Sequence, residues 1–119
     1  MTHDTAEIIY NQIVYYESLG QKQLQVILIG GNTIREEKRP KKLLGLIRNF
    51  MKQIVDVRGL HLVFGTLIPS PGTGSEDDEN FKIFDFGLKA LISTFPREKF
   101  SCLNLTRAFR IRGKVMFQR

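Results

Sequence analysis

Few residues of this chain carry chemistry, and they are scattered. His3 lies near the start, His61 falls inside an apolar run, Cys102 is the lone thiol, and Ser70 stands between Pro69 and Pro71. A serine is a poor nucleophile until a positioned base takes its proton, and the residues around Ser70 offer none. His61 pairing with Ser70 would need a tertiary contact that the sequence does not argue for; in its apolar setting His61 reads as a partly buried structural histidine. Glu76, Asp77, Asp78 and Glu79 form an acidic cluster without the alternating oxygen ligands and closing glutamate of a calcium loop, so they read as a flexible solvated loop. Two histidines and one cysteine do not supply a structural zinc site, and no metal is expected. No cofactor is expected either: Gly30-Gly31 leads to no Gly-Lys-Ser/Thr, and Gly72-Thr73-Gly74 precede carboxylates that repel phosphate. Cys102, inside an apolar segment, reads as an inert core residue. It cannot form an internal disulfide, so a reducing, intracellular and cytoplasmic setting is the expectation.

These residues depend on the elements that would hold them. Asp4 to Leu19 places Ile8, Ile9, Ile13 and Tyr16 at helical spacings, with Asp4 or Thr5 as cap and Gly20 as stop. Gln25 to Ile29 is a β-branched apolar run closed by Gly30-Gly31-Asn32, and an unbroken apolar strand predicts a central strand covered on both faces. Thr33 to Pro40 reads as a charged loop. Lys42 to Val57 repeats Leu43, Leu44, Ile47, Phe50, Met51, Ile54 and Val55 at steps of three and four, a well-marked amphipathic helix. Leu60 to Ile68 is a second apolar strand, Phe81 to Phe95 a third amphipathic helix ended by Pro96, and Phe100 to Leu105 a third strand. Thr106 to Arg119 has weak periodicity. Strands alternating with helices imply a parallel sheet with right-handed crossovers. The predicted class is therefore α/β, a three-layer sandwich with a short parallel sheet. In such sheets sites form beyond the carboxyl ends of the strands, here Gly30 to Thr33, Pro69 to Pro71, and Asn104 to Arg107.

Length and charge narrow the classes. A chain of 119 residues forms one domain at most and can build a core without disulfides. No apolar run reaches the ~18–20 residues that span a bilayer, so no membrane is expected, and the first dozen residues are not a secretory signal. The net charge of +6 is unevenly spread. Residues 38–66 hold seven basic residues and one acidic, residues 99–119 six basic and none acidic, while residues 67–98 hold three basic and six acidic. Lys41, Lys42, Arg48 and Lys52 in one block and Arg107, Arg110, Arg112 and Lys114 in the other offer a footprint for RNA. Phe109 and Phe117 interleave the second block, as stacking on bases would require. The plainer reading is a solvated helix face and a basic tail.

The segment Val26–Asn32 (VILIGGN) resembles the third motif block of the SGNH (GDSL-type) esterases and lipases. In that family an apolar strand ends in Gly-x-Asn-Asp; here Gly30-Gly31-Asn32 matches and Thr33 replaces the aspartate. The strand ending in Leu67-Ile68-Pro69, the helix opened by Asn80 and the segment FSCLNLTRAF (Phe100–Phe109) are similar to elements that follow in the family. The likeness runs from about Val26 to Gly113 and is nearest to SGNH-like domains of uncharacterised animal and mobile-element proteins. It implies a flavodoxin-like fold and ester hydrolysis, with Asn32 donating its amide to the oxyanion, a contact worth about 3–4 kcal/mol. Gly30, Gly31, Thr33 and Ser70 would then lie along the substrate. The alternative is a turn asparagine serving its own backbone.

The remaining machinery of that family is missing. The sequence has no Gly-Asp-Ser, no histidine follows His61, and the last aspartate is Asp85. The expectation is thus a fragment or degenerate form of an ester hydrolase domain, inactive by that mechanism. The family also includes SGNH-like domains without a triad that bind RNA, which leaves a binding module for RNA or a protein partner. An exposed sheet edge pairing with another chain is the third reading.

Overall fold

The computed structural model describes residues 1–67 and 76–105, with only the backbone described at Asn32 and Asp77. Ser70, Arg107, Arg110, Arg112 and Lys114 lie outside the described residues. The elements are α1 (His3–Ser18), β1 (Gln23–Gly30), α2 (Gly31–Glu37), α3 (Pro40–Ile54), β2 (Leu60–Leu67), α4 (Glu76–Ser93) and β3 (Phe100–Asn104). The three strands form one sheet in the order β1-β2-β3, parallel throughout. This is the expected α/β class, a parallel sheet flanked by helices.

Sequential order with right-handed crossovers places the connecting helices on the same face. One core results. Ile27 and Ile29 of β1, Leu62 and Phe64 of β2 and Phe100 of β3 pack with Ile47, Phe50, Met51 and Ile54 of α3 and Phe81, Phe84 and Leu88 of α4. Ile13 of α1 and Ile34 of α2 join the same cluster. Where α3 packs on α4, a Cβ added at Gly87 would run into the tip of Leu44, which would have to move, so glycine is favoured there. Gly65 has the equivalent role on the opposite side of the sheet, where Leu28 Cδ2 and Leu105 Cδ1 would stand 2.9 and 3.0 Å from an added Cβ.

Several expectations change. β1 stands at an edge of the sheet, with only one face buried. Ile29 is 1% exposed, whereas Leu24, Val26 and Leu28 are 69, 55 and 67% exposed. The charged segment after Gly30-Gly31-Asn32 is helical over Gly31–Glu37, because Ile34 plugs into the core at 1% exposure and anchors the turn. The acidic run beginning at Glu76 belongs to α4; carboxylates in a first helical turn are stabilised by the helix dipole, so acidity there does not signal a loop. α1 is capped by Thr2, whose hydroxyl accepts from Thr5 N–H at 3.2 Å. Its inner stripe is Ala6, Ile9, Tyr10 and Ile13, and Ile8 faces solvent. α3 starts at Pro40, at the first helical turn where a missing N–H costs nothing.

Candidate functional site

The carboxyl ends of the strands gather the residues expected to form a site. β1 ends at Gly30, and α2 starts at once with Gly31, Asn32 and Thr33. Gly31 is buried and Thr33 half-buried. Asn32 therefore sits directly after β1 in the first turn of a helix, and not in an open turn. β2 reaches the same level with Thr66, paired with Ile29 on one side and Asn104 on the other. Thr66 is fully buried on the helical face, and its Oγ1 has no hydrogen-bond partner among the described residues. From α2, Arg35 holds its guanidinium 5.6 Å from the centre of the Phe81 ring on α4, and Asp78 is buried one turn earlier on the same helix. Sequence reasoning did not single out Thr66 or Arg35, and it took Asp78 only as part of a solvated acidic loop, whereas it is buried in α4. The only signal for Thr66 was a hydroxyl inside an otherwise apolar strand.

The basic residues of α3 form a clear geometric pattern. Lys41, Arg48 and Lys52 follow each other at steps of seven and four, which keeps them on one stripe of the helix over about 16 Å. All three are exposed, and none is in an ion pair among the described residues. Gly45 lies between them with open space where a Cβ would be. Lys42 is different: its Nζ lies 3.7 Å from Glu37 Oε1, a carboxylate it shares with Arg39 at 3.4 Å. A separate groove of about 680 Å³ runs between α1 and α3, lined by His3, Glu7, Asn11, Asn49 and Gln53 among others.

The other end of the sheet holds a constellation that the sequence reading missed. His61 stands second in β2 and Ser101 second in β3, on the face away from the helices. His61 Nε2 lies 3.0 Å from Ser101 Oγ, and His61 Nδ1 lies 2.9 Å from the main-chain oxygen of Glu98. His61 is half-buried, as expected from its setting, and both its ring nitrogens are bonded. Its partner is Ser101, however, and not Ser70. The pair is remote from Asn32. Ser101 is level with Val63, whereas Gly30 is level with Leu67, four residues or ~13 Å further along the strands. Asn32 and the Ser101–His61 pair thus belong to opposite ends of the sheet. Cys102, next in β3, points to the helical face beside α4, and burial, with Asp85 adding to it against Lys89, pushes its thiol above the ordinary range. A raised thiol keeps its proton at neutral pH, which disfavours the reactive thiolate.

Among the described residues no group of three or more histidine, cysteine or carboxylate side chains could hold a metal ion, and no helix is long and apolar enough to cross a membrane. No family model, no curated protein and no solved structure matches the chain.

Proposed function

We propose that the chain is a derivative of the SGNH-type α/β fold that works by binding another protein chain, without that family's triad, and that its working element is the outer edge of β1. The observation that carries this reading is that β1 is an edge strand with nothing among the described residues to blunt it. In a parallel ladder, alternate residues turn both main-chain groups toward the same neighbour. Gln23 N–H donates to Gly59 O at 2.8 Å, so Gln23, Gln25, Ile27 and Ile29 serve β2, and Leu24, Val26 and Leu28 turn their N–H and C=O outward. Proteins blunt such edges with lysine, proline or a bulge; Gln23–Gly30 has no charge and no proline. The order β1-β2-β3 also matches the last three strands of a flavodoxin-like 2-1-3-4-5 sheet, in which a further strand lies along this edge.

A second copy of the chain is the occupant whose fit can be read. An antiparallel pairing centred on Val26 sets Leu24 opposite Leu28 of the second copy. Every outward-facing residue then meets another, no like charges oppose, and the two sheets become one. About six N–H···O bonds form across the edge. Val26→Pro removes two of them, one per copy, and costs no bond within the fold, since a proline is tolerated where the N–H faces outward. At about 0.5–1.5 kcal/mol per bond the loss is about 1–3 kcal/mol, or roughly 5–150-fold in affinity. Sedimentation velocity is expected to give a concentration-dependent dimer for the wild type and a weakened one for the variant. A wild-type monomer at all concentrations, or equal association by a folded Val26→Pro protein, would overturn the proposal.

A second reading rests on the α3 stripe. Three aligned exposed cations suit a phosphate backbone, and affinity for single-stranded RNA should fall steeply with salt. Binding unaffected by replacing Lys41, Arg48 and Lys52 with glutamine would remove this reading.

A further inference from the structure

The contact between His61 and Ser101 supplies two parts of an activated nucleophile and the means of orienting them. The Glu98 carbonyl only accepts, so in the neutral ring His61 Nδ1 carries the proton and donates to it at 2.9 Å. Nε2 is then left with its lone pair facing the Ser101 hydroxyl at 3.0 Å. A hydroxyl within reach of a base, with the base fixed by a third group, is the arrangement that activates serine in general. The pair lies on the side of the sheet away from the described helices, and both side chains are half-buried. Its surroundings are apolar: Leu24 is level with His61, Val63 is level with Ser101, and Leu103 follows on the same face.

The strand also offers a donor. Leu62 N–H bonds to Lys99 O at 2.7 Å, so the odd-numbered residues of β3 serve β2. The N–H of Cys102, immediately after Ser101, therefore turns to the outer edge of β3, away from β2 and with no ladder partner among the described residues. In hydrolases built on α/β sheets, the N–H after the nucleophile is one that holds the oxyanion.

We propose that Ser101 is a nucleophilic hydroxyl with His61 as its general base, and that it takes an acyl group from esters with an aliphatic acyl chain, which the Leu24–Val63–Leu103 surface would bed. Ser101 Oγ bonds to the ester carbonyl carbon as its proton passes to His61 Nε2. The bond from that carbon to the leaving oxygen then breaks, and the Nε2 proton goes to the departing alkoxide. Water, deprotonated by the same nitrogen, releases the acid and returns the proton to Ser101. This site rests on neither Asn32 nor the pairing of β1.

The test uses the full chain with p-nitrophenyl butyrate and, separately, an alkyl fluorophosphonate, followed by intact mass and peptide mapping. The expected result is a single adduct on Ser101, lost in Ser101→Ala. In His61→Gln, whose fold is checked by circular dichroism, labelling should slow about 100-fold, the lower range for a general base. Wild-type protein that acquires no adduct at Ser101, or an adduct that forms equally fast in a folded His61→Gln protein, would overturn the proposal.

Discussion

Neighbouring residues of β1 should differ sharply in what they contribute, because their side chains go to opposite faces. Ile29 is 1% exposed and packs in the core, while Leu28 is 67% exposed and leans over Gly65. Truncating a buried isoleucine to alanine costs about 2–5 kcal/mol, transfer and cavity terms together. Leu28 buries about a third of its surface. If full burial of a leucine is worth about 1.5–3 kcal/mol, Leu28→Ala should cost only about 0.5–1 kcal/mol. At roughly 4 °C per kcal/mol for a chain of this size, Ile29→Ala lowers the melting midpoint by about 8–20 °C and Leu28→Ala by about 2–4 °C. Urea and thermal unfolding followed by circular dichroism measure both. Placing the substitutions on Val26→Pro keeps strand pairing out of the comparison. Equal losses at Leu28 and Ile29 would mean that the outer face of β1 is covered in solution, and the reasoning about an open face would fail.

Other substitutions probe the packing and the thiol. Gly87→Ala gains up to about 1 kcal/mol of helix propensity but runs into Leu44, and overpacking of this kind costs about 1–3 kcal/mol. The expected result is net destabilisation in the wild type and net stabilisation on a Leu44→Ala background; additive effects in the double-mutant cycle would contradict the crossing of α3 and α4 at Gly87. Folding raises the Cys102 thiol above its ordinary 9.0, so the unfolded chain releases that proton first. Its contribution to stability is complete below pH 9.0 and falls as pH rises beyond it. Urea unfolding between pH 8 and 10 should therefore decline more for the wild type than for Cys102→Ser; parallel curves would refute the assignment.

The strands and α3 were legible because their signals are local: β-branched apolar runs, and apolar residues recurring at three and four. α2 was not, since a seven-residue helix anchored in the core by Ile34 is too short for a periodicity to be read; its contacts with the core make it helical. The acidic start of α4 misled by composition, where its place in a first helical turn decides. Whether an apolar strand is covered on one face or two is not written in the strand, so the exposure of Leu24, Val26 and Leu28 had to await the sheet order. Asn32 follows the end of β1, as the apolar run closed by Gly30-Gly31 indicated, but it belongs to a helix and not a turn. His61 and Ser101 are forty residues apart, and only the parallel register of β2 and β3 brings them together.

The central claim, an edge of β1 that pairs with a second copy about Val26, is tested most directly by disulfide trapping on a Cys102→Ser background. Two Val26 positions across the dyad would have Cα atoms about 5.5 Å apart, within the range a disulfide bridges. Two Leu24 positions would be offset by four residues, ~13 Å, and out of reach. Val26→Cys is expected to be trapped as a covalent dimer under mild oxidation, and Leu24→Cys is not. Equal trapping of both, or of neither, would contradict the claim.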